Sequence, residues 1–216
     1  IPTRESNEDV FKLKHIKIGL LSTPDASLFQ AKQEIALYGK NTRDMFQQVA
    51  ASLNMTSKDF EKQFDKLVKL EDESDKIEVE IADYLTKVSE SKLSTENSQR
   101  IRAMFKIVSE IESIADSSLN VAKAMLRKIE QNQTFTEDLN HKLKSMFALV
   151  DETLGVMCDN LTMEYKEVNA KKAYELEHAI NDYRTILKQE HLIAIEEKRY
   201  NYPTGILYTD MFSECE

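Results

Sequence analysis

"SEIESIADSSLNVAKAM", residues 109–125, is the stretch whose reading decides the fold. With Val108 before it, Ile111, Ala115, Leu119, Ala122 and Met125 recur every three or four positions, which lays one apolar stripe along a helix. Glu112 stands inside that stripe, and Asp116 lies one turn further on, at its margin. A helix that aims a carboxylate pair at the side it buries needs something to neutralise it.

The rest of the chain is composed for helices. Only 4 Gly and 3 Pro among 216 residues argue against turn-rich β folds and against Gly-looped nucleotide folds. Apolar residues at 41% and charged residues at 31% describe a folded, well-solvated chain. The net charge of −9, with lysines interleaved among acids, leaves no concentrated basic face, so no nucleic-acid partner is expected. Cys158 and Cys215 make no disulfide framework, which points to a reducing compartment. No stretch approaches the roughly 20 apolar residues of a membrane span, and no signal peptide is expected from these residues. Ile1 in place of Met, and the apolar-periodic "YTDMFSECE" (208–216) without a capping signal, lead us to expect a piece of a longer protein.

Residues 1–23 read as a linker from an absent upstream domain, docking at its end. Periodicity then predicts helices over about 25–53, 57–90, 95–131, 136–168 and 169–198, with a sixth from near Gly205. Thr56 or Ser57, and Thr136, are the predicted N-caps. Short breaks force neighbours antiparallel. The expectation is an all-α fold of two tandem three-helix bundles, 24–132 and 133–216, with the last helix truncated.

The second helix repeats the oddity of the third. In "LEDESDKIEVE" (70–80), Glu71 and Glu78 fall on the side fixed as buried by Phe60, Phe64 and Leu67, and Asp75 falls at its edge. The i,i+4 spacing stacks each acid pair about 6 Å apart at Cβ. Antiparallel packing would gather Glu71, Asp75, Glu78, Glu112 and Asp116 at one seam. Protons, Lys or Arg, or a cation must then neutralise them. Such an all-oxygen set suits a divalent or trivalent metal ion (Fe, Zn, Mg or Ca), and a solvated, salt-bridged rim is the other reading. Further chemistry is thin. Glu175-x-x-His178 has the spacing of half a di-iron site, but the nearest second copy is Asp138-x-x-His141, and both read as surface accidents. His191 reads as a packing histidine and Cys158 as a small core residue. No catalytic centre is expected.

The paired E-x-x-x-D rows are where a resemblance enters. "IESIADSSLNVA" (111–122) resembles the "LERIGDxAxNIA" segment of the PhoU family, matching at Glu112, Ile114, Asp116, Asn120 and Ala122. "LEDESDKIEVEI" (70–81) resembles its partner motif through Glu71, Asp75 and Glu78. The second repeat is a looser match: Glu177 and Asn181, with Asn where the family has Asp, and Glu216 as the first acid of a motif whose Asp lies beyond it. "FKLKHIKIGLLSTPDASLFQAKQEIALYG" (11–39) is similar to the junction between the membrane domain and the PhoU-like domain of bacterial Na/Pi cotransporters of the type II-related family. Residues 176–216, with Arg184, His191 and the "GxLYxD" positions, look like that family's second repeat.

The resemblance implies a PhoU-like regulatory domain, metal-binding through those acids. It would be attached to an upstream transmembrane domain that carries out sodium:phosphate symport, at the cytoplasmic face of a bacterial inner membrane, with self-association as a further possible contact. A free-standing PhoU-like regulator of phosphate uptake and signalling is the alternative. A di-iron enzyme lacks its two E-x-x-H motifs, and a passive helical scaffold leaves the inner-face acids unexplained.

Overall fold

A computed structural model of the chain describes residues 13–16, 23–165 and 167–216. Among the described residues there are six helices and no strand: α1 (Pro24–Ala51), α2 (Ser57–Ser89), α3 (Thr95–Glu130), α4 (Glu137–Thr162), α5 (Ala170–Glu196) and α6 (Tyr202–Ser213). The all-α class read from the sequence is the class the chain forms. A side-chain oxygen caps each helix N-terminus, from Thr23, Thr56, Ser94, Thr136, Asn169 and Asn201 in turn. Each such cap satisfies one orphan N–H and contributes about 1 kcal/mol.

Two boundaries differ from the sequence reading. Helix α4 ends at Thr162 rather than near 168. No Gly or Pro marks the spot, and the connection is held by tertiary bonds: Lys32 Nζ donates to the Met163 carbonyl at 2.7 Å, and the Asn169 N–H donates to Asn160 Oδ1 at 3.0 Å. Helix α6 begins at Tyr202, ahead of Gly205, because Asn201 caps it and Pro203 fits its first turn.

Helices α1, α2 and α3 pack on one another, as do α4, α5 and α6, and the halves join through α1 on α4 and α3 on α6. One core runs through both halves and includes Phe46, Phe60, Leu67, Leu119, Leu143, Phe147 and Met211. A second lies at the other end of α1–α3, around Tyr38, Ile81, Leu85, Val108 and Ile111, and α4 reaches it with Met157 and Leu161. At the α1–α4 crossing a Cβ on Gly39 would stand 2.6 Å from Leu161 Cδ1, so only glycine permits this approach without a shift. Arg43 clamps the same pair of helices, donating from Nε and Nη2 to the two oxygens of Asp151 at 2.9 and 3.2 Å.

Of the residues read as a linker, 1–12 and 17–22 lie outside the described residues. Leu13 and Ile16 pack against the second core. Glu34, only 4% exposed, accepts the backbone N–H groups of Lys14 and His15 at 3.2 and 2.5 Å. Among the described residues no helix is long and apolar enough to cross a membrane.

Candidate functional site

The acids follow the helical wheel. Glu71, Glu78 and Glu112, placed inside the apolar arcs, are half-buried, while Asp75 and Asp116, placed at the margins, are exposed. Ser74 and Ile77 turn the other way from α2 into the bundle, and both are buried. Helix α2 thus presents its acid row to the α2–α3 seam and its apolar row to α1.

The electrostatics locate the acids relative to one another. Burial raises the Glu112 carboxyl above its ordinary range, and Glu78, Asp116 and Asp75 push it the same way, against a small opposing bond from Ser113. Burial also raises Glu71, followed by Asp75, with Lys123 opposing and Asp116 and Asp72 adding to the rise. Glu78 and Glu112 therefore mark one end of the seam, Glu71 and Lys123 the other, with Asp75 and Asp116 between them. The five acids act on one another across two antiparallel helices, and the basic relief named at the seam, Lys123, falls at its Glu71 end.

Tyr38 of α1 lies beneath this row, close enough for Glu78, Glu112 and Asp75 to act on its hydroxyl. Its hydroxyl is within 3.1 Å of the Ser74 carbonyl, to which it donates, and within 2.8 Å of Ser74 Oγ. Its ionisation is pushed well above the usual tyrosine range, first by burial and then by Glu78, Glu112 and Asp75. Tyr38 stays a neutral hydroxyl, pinning α1 to α2 under the acids. No periodicity rule finds such a residue, since it becomes a neighbour only through the α1–α2 packing.

Carboxylate oxygens are the right donors for a hard cation. Among the described residues, however, no group of three His, Cys, Asp or Glu side chains is arranged to hold a metal ion. The acids form a row along the seam rather than a shell around a centre.

The weaker candidates are dispersed. Glu177 is exposed on α5. Asn181 buries an Oδ1 that has no hydrogen-bond partner among the described residues. Glu216 is ion-paired with Arg184. Glu175 and His178 are both exposed on α5, and Asp138 is tied to Lys142 at 2.6 Å, which also reaches Glu190 at 2.8 Å. His191 Nδ1 lies 2.9 Å from the Tyr200 hydroxyl, and the two rings stack at 5.9 Å. Burial lowers the His191 pKa, so the ring is neutral at pH 7. Cys158 is half-buried with its thiol pushed up by burial, and burial takes Cys215 up to about 12.

Comparison with known families matches residues 35–125 to the PhoU domain. The match takes in most of α1, all of α2 and α3 as far as Met125, and so all five seam acids. No curated protein matches the chain.

Proposed function

We propose that this protein is the helical regulatory part of a sodium-dependent phosphate transporter, held at the cytoplasmic face of a bacterial inner membrane by a transmembrane domain of the same polypeptide. The phosphate reading is carried by one observation, the PhoU-domain match over the helices that bear the acid seam. The transporter reading is supported by the likeness of residues 11–39 and 176–216 to Na/Pi cotransporters. The role is regulatory rather than catalytic.

Charge suggests how such a domain acts. Cytoplasmic loops of membrane proteins carry an excess of Lys and Arg, while the leaflet around them is anionic. A chain of net charge −9 is repelled by the lipid and drawn to the loops. The seam concentrates part of that charge, since the Glu112 carboxyl is raised by burial and then by the neighbouring acids Glu78, Asp116 and Asp75. Basic loop residues docking there relieve a repulsion already present in the fold, which favours docking without a resident metal.

The test is sodium-driven phosphate uptake by the whole transporter carrying Glu71→Gln, Asp75→Asn, Glu112→Gln and Asp116→Asn together. Uptake should persist while its response to external phosphate is lost. A response equal to the parent's would sink the docking role. A gene without transmembrane segments upstream would remove the transporter and leave a free-standing regulator.

A further inference from the structure

Helices α1 and α2 run antiparallel, and their cross-bonds give the register. Tyr84 donates to Gln30 at 3.0 Å, Tyr38 meets Ser74 Oγ at 2.8 Å, and Gln63 donates to Gln48 at 3.1 Å. Alongside the last two pairs the helices leave a cavity of about 280 Å³. None of the five seam acids lines it, because α2 turns its other face this way. Met45, Leu70, Ile77 and Ala115 supply its apolar wall.

The charge around this cavity has one sign. Asp44 of α1 and Glu73 of α2, both exposed, bring two carboxylates to its mouth, and no Lys, Arg or His lines it among the described residues. Neither carboxylate has an ion-pair partner among the described residues. The neighbouring base, Arg43, is committed to Asp151 of α4. Further in, Thr42 lines the cavity at 3% exposure, and its Oγ1 has no hydrogen-bond partner among the described residues. A helical threonine often turns that hydroxyl onto a carbonyl one turn back, as Thr153 does onto Leu149 at 2.8 Å. Thr42 makes no such bond, so a buried acceptor faces the cavity unmatched. Asn41, which also lines it, adds an amide oxygen.

We propose that this cavity binds a short alkyl diamine, one ammonium group meeting Thr42 and Asn41 and the other held by Asp44 and Glu73 at the mouth. The lining charge selects a cation, and two unpaired carboxylates answer two positive charges. A metal ion fits poorly, since a hard cation needs six or more oxygen ligands and no group of three ligating acids is found among the described residues. An ammonium carries three donors, which a hydroxyl, an amide oxygen and a carboxylate take up. The apolar wall packs against the methylene stem between the two charges. This site lies outside the acid seam, and it holds whether or not the chain is part of a transporter.

Calorimetric titration of the chain with 1,4-diaminobutane, at about 10 mM salt to limit screening, reads the site directly. Binding should saturate, and n-butylammonium should bind about 10-fold more weakly for want of its second charge. Asp44→Asn with Glu73→Gln should weaken the diamine by about 10-fold or more. Thr42→Val should weaken it by about 5-fold, whereas Thr42→Ser, which keeps the hydroxyl, should bind as the parent does. A second neutralised pair on α2, Glu80→Gln with Asp83→Asn, both exposed and outside the cavity, should change nothing. No saturable binding overturns the proposal, and so does equal weakening by the two neutralised pairs, which makes the attraction a diffuse one. Displacement of the diamine by an equal concentration of magnesium also overturns it, by making the cavity a metal site.

Discussion

Glu112 carries a cost that pH can remove. Its carboxyl is raised by burial and then by neighbouring acids, so ionisation is less favourable in the folded state than in the unfolded one. Below the ordinary glutamate range, near pH 4, both states are protonated and no cost exists. As pH rises through that range towards the raised folded value the cost sets in, and above it the cost is complete. Glu112→Gln should therefore raise the melting temperature at pH 7, with the gain closing below about pH 4. A variant less stable than the parent at pH 7 would mean that the carboxylate has a favourable partner. Asp151 behaves in the opposite way, its carboxyl held below the usual range chiefly by the Arg43 hydrogen bond. The stability it contributes is present above the ordinary aspartate range and is lost as pH falls through the depressed value. Since both side chains are about a third exposed, Asp151→Ala should cost only about 0.5–1 kcal/mol at pH 7, and urea melts at pH 7 and at about pH 2 should show that difference vanish in acid. At this scale the wheel alone ordered the acids by burial. Tyr38 and Glu34 escaped it, because a hydroxyl under a neighbouring helix and a carboxylate gripping backbone 19 and 20 residues away leave no local pattern.

Helix pairs explain what single helices cannot. A Cβ on Gly205 would lie 2.8 Å from the His191 ring, 2.9 Å from Ile195 and 3.3 Å from Tyr200. The ring is held by its bond to Tyr200, so it cannot simply swing aside. Gly205→Ala should cost about 1–3 kcal/mol through overpacking, measurable by chemical denaturation. At Gly39 the close contact is the tip of one leucine, and alanine gains about 1 kcal/mol of helix propensity. Gly39→Ala should therefore fall within about 1 kcal/mol of the parent, propensity offsetting the clash. The opposite ranking of the two variants would contradict this account of the α1–α4 and α5–α6 crossings. Caps were legible where Thr or Ser preceded an apolar run, as at Thr56 and Thr136. The start of α6 lies ahead of the expected Gly205, because Asn201 and Pro203 are start signals that the periodicity reading did not weigh. The end of α4 has no such signal, being set by Lys32 and Asn160 reaching across it.

On the scale of the whole molecule, helix count and class were visible in periodicity and in the scarcity of Gly and Pro. The sharing of one core between the halves was not, since it depends on α1 meeting α4 and α3 meeting α6, contacts between residues about a hundred positions apart. The net charge of −9 and the acid row together predict that raising salt from about 10 mM to about 0.5 M stabilises the protein, by shortening the screening length, and a melting temperature that falls with added salt would contradict the charge argument. The central claim is regulation of phosphate transport, and sodium-driven phosphate uptake by the full-length protein with and without residues 24–216 tests it most directly. The account predicts that removing the domain leaves uptake in place but makes it insensitive to phosphate supply, and equal rates with an equal phosphate response in the two forms would contradict it.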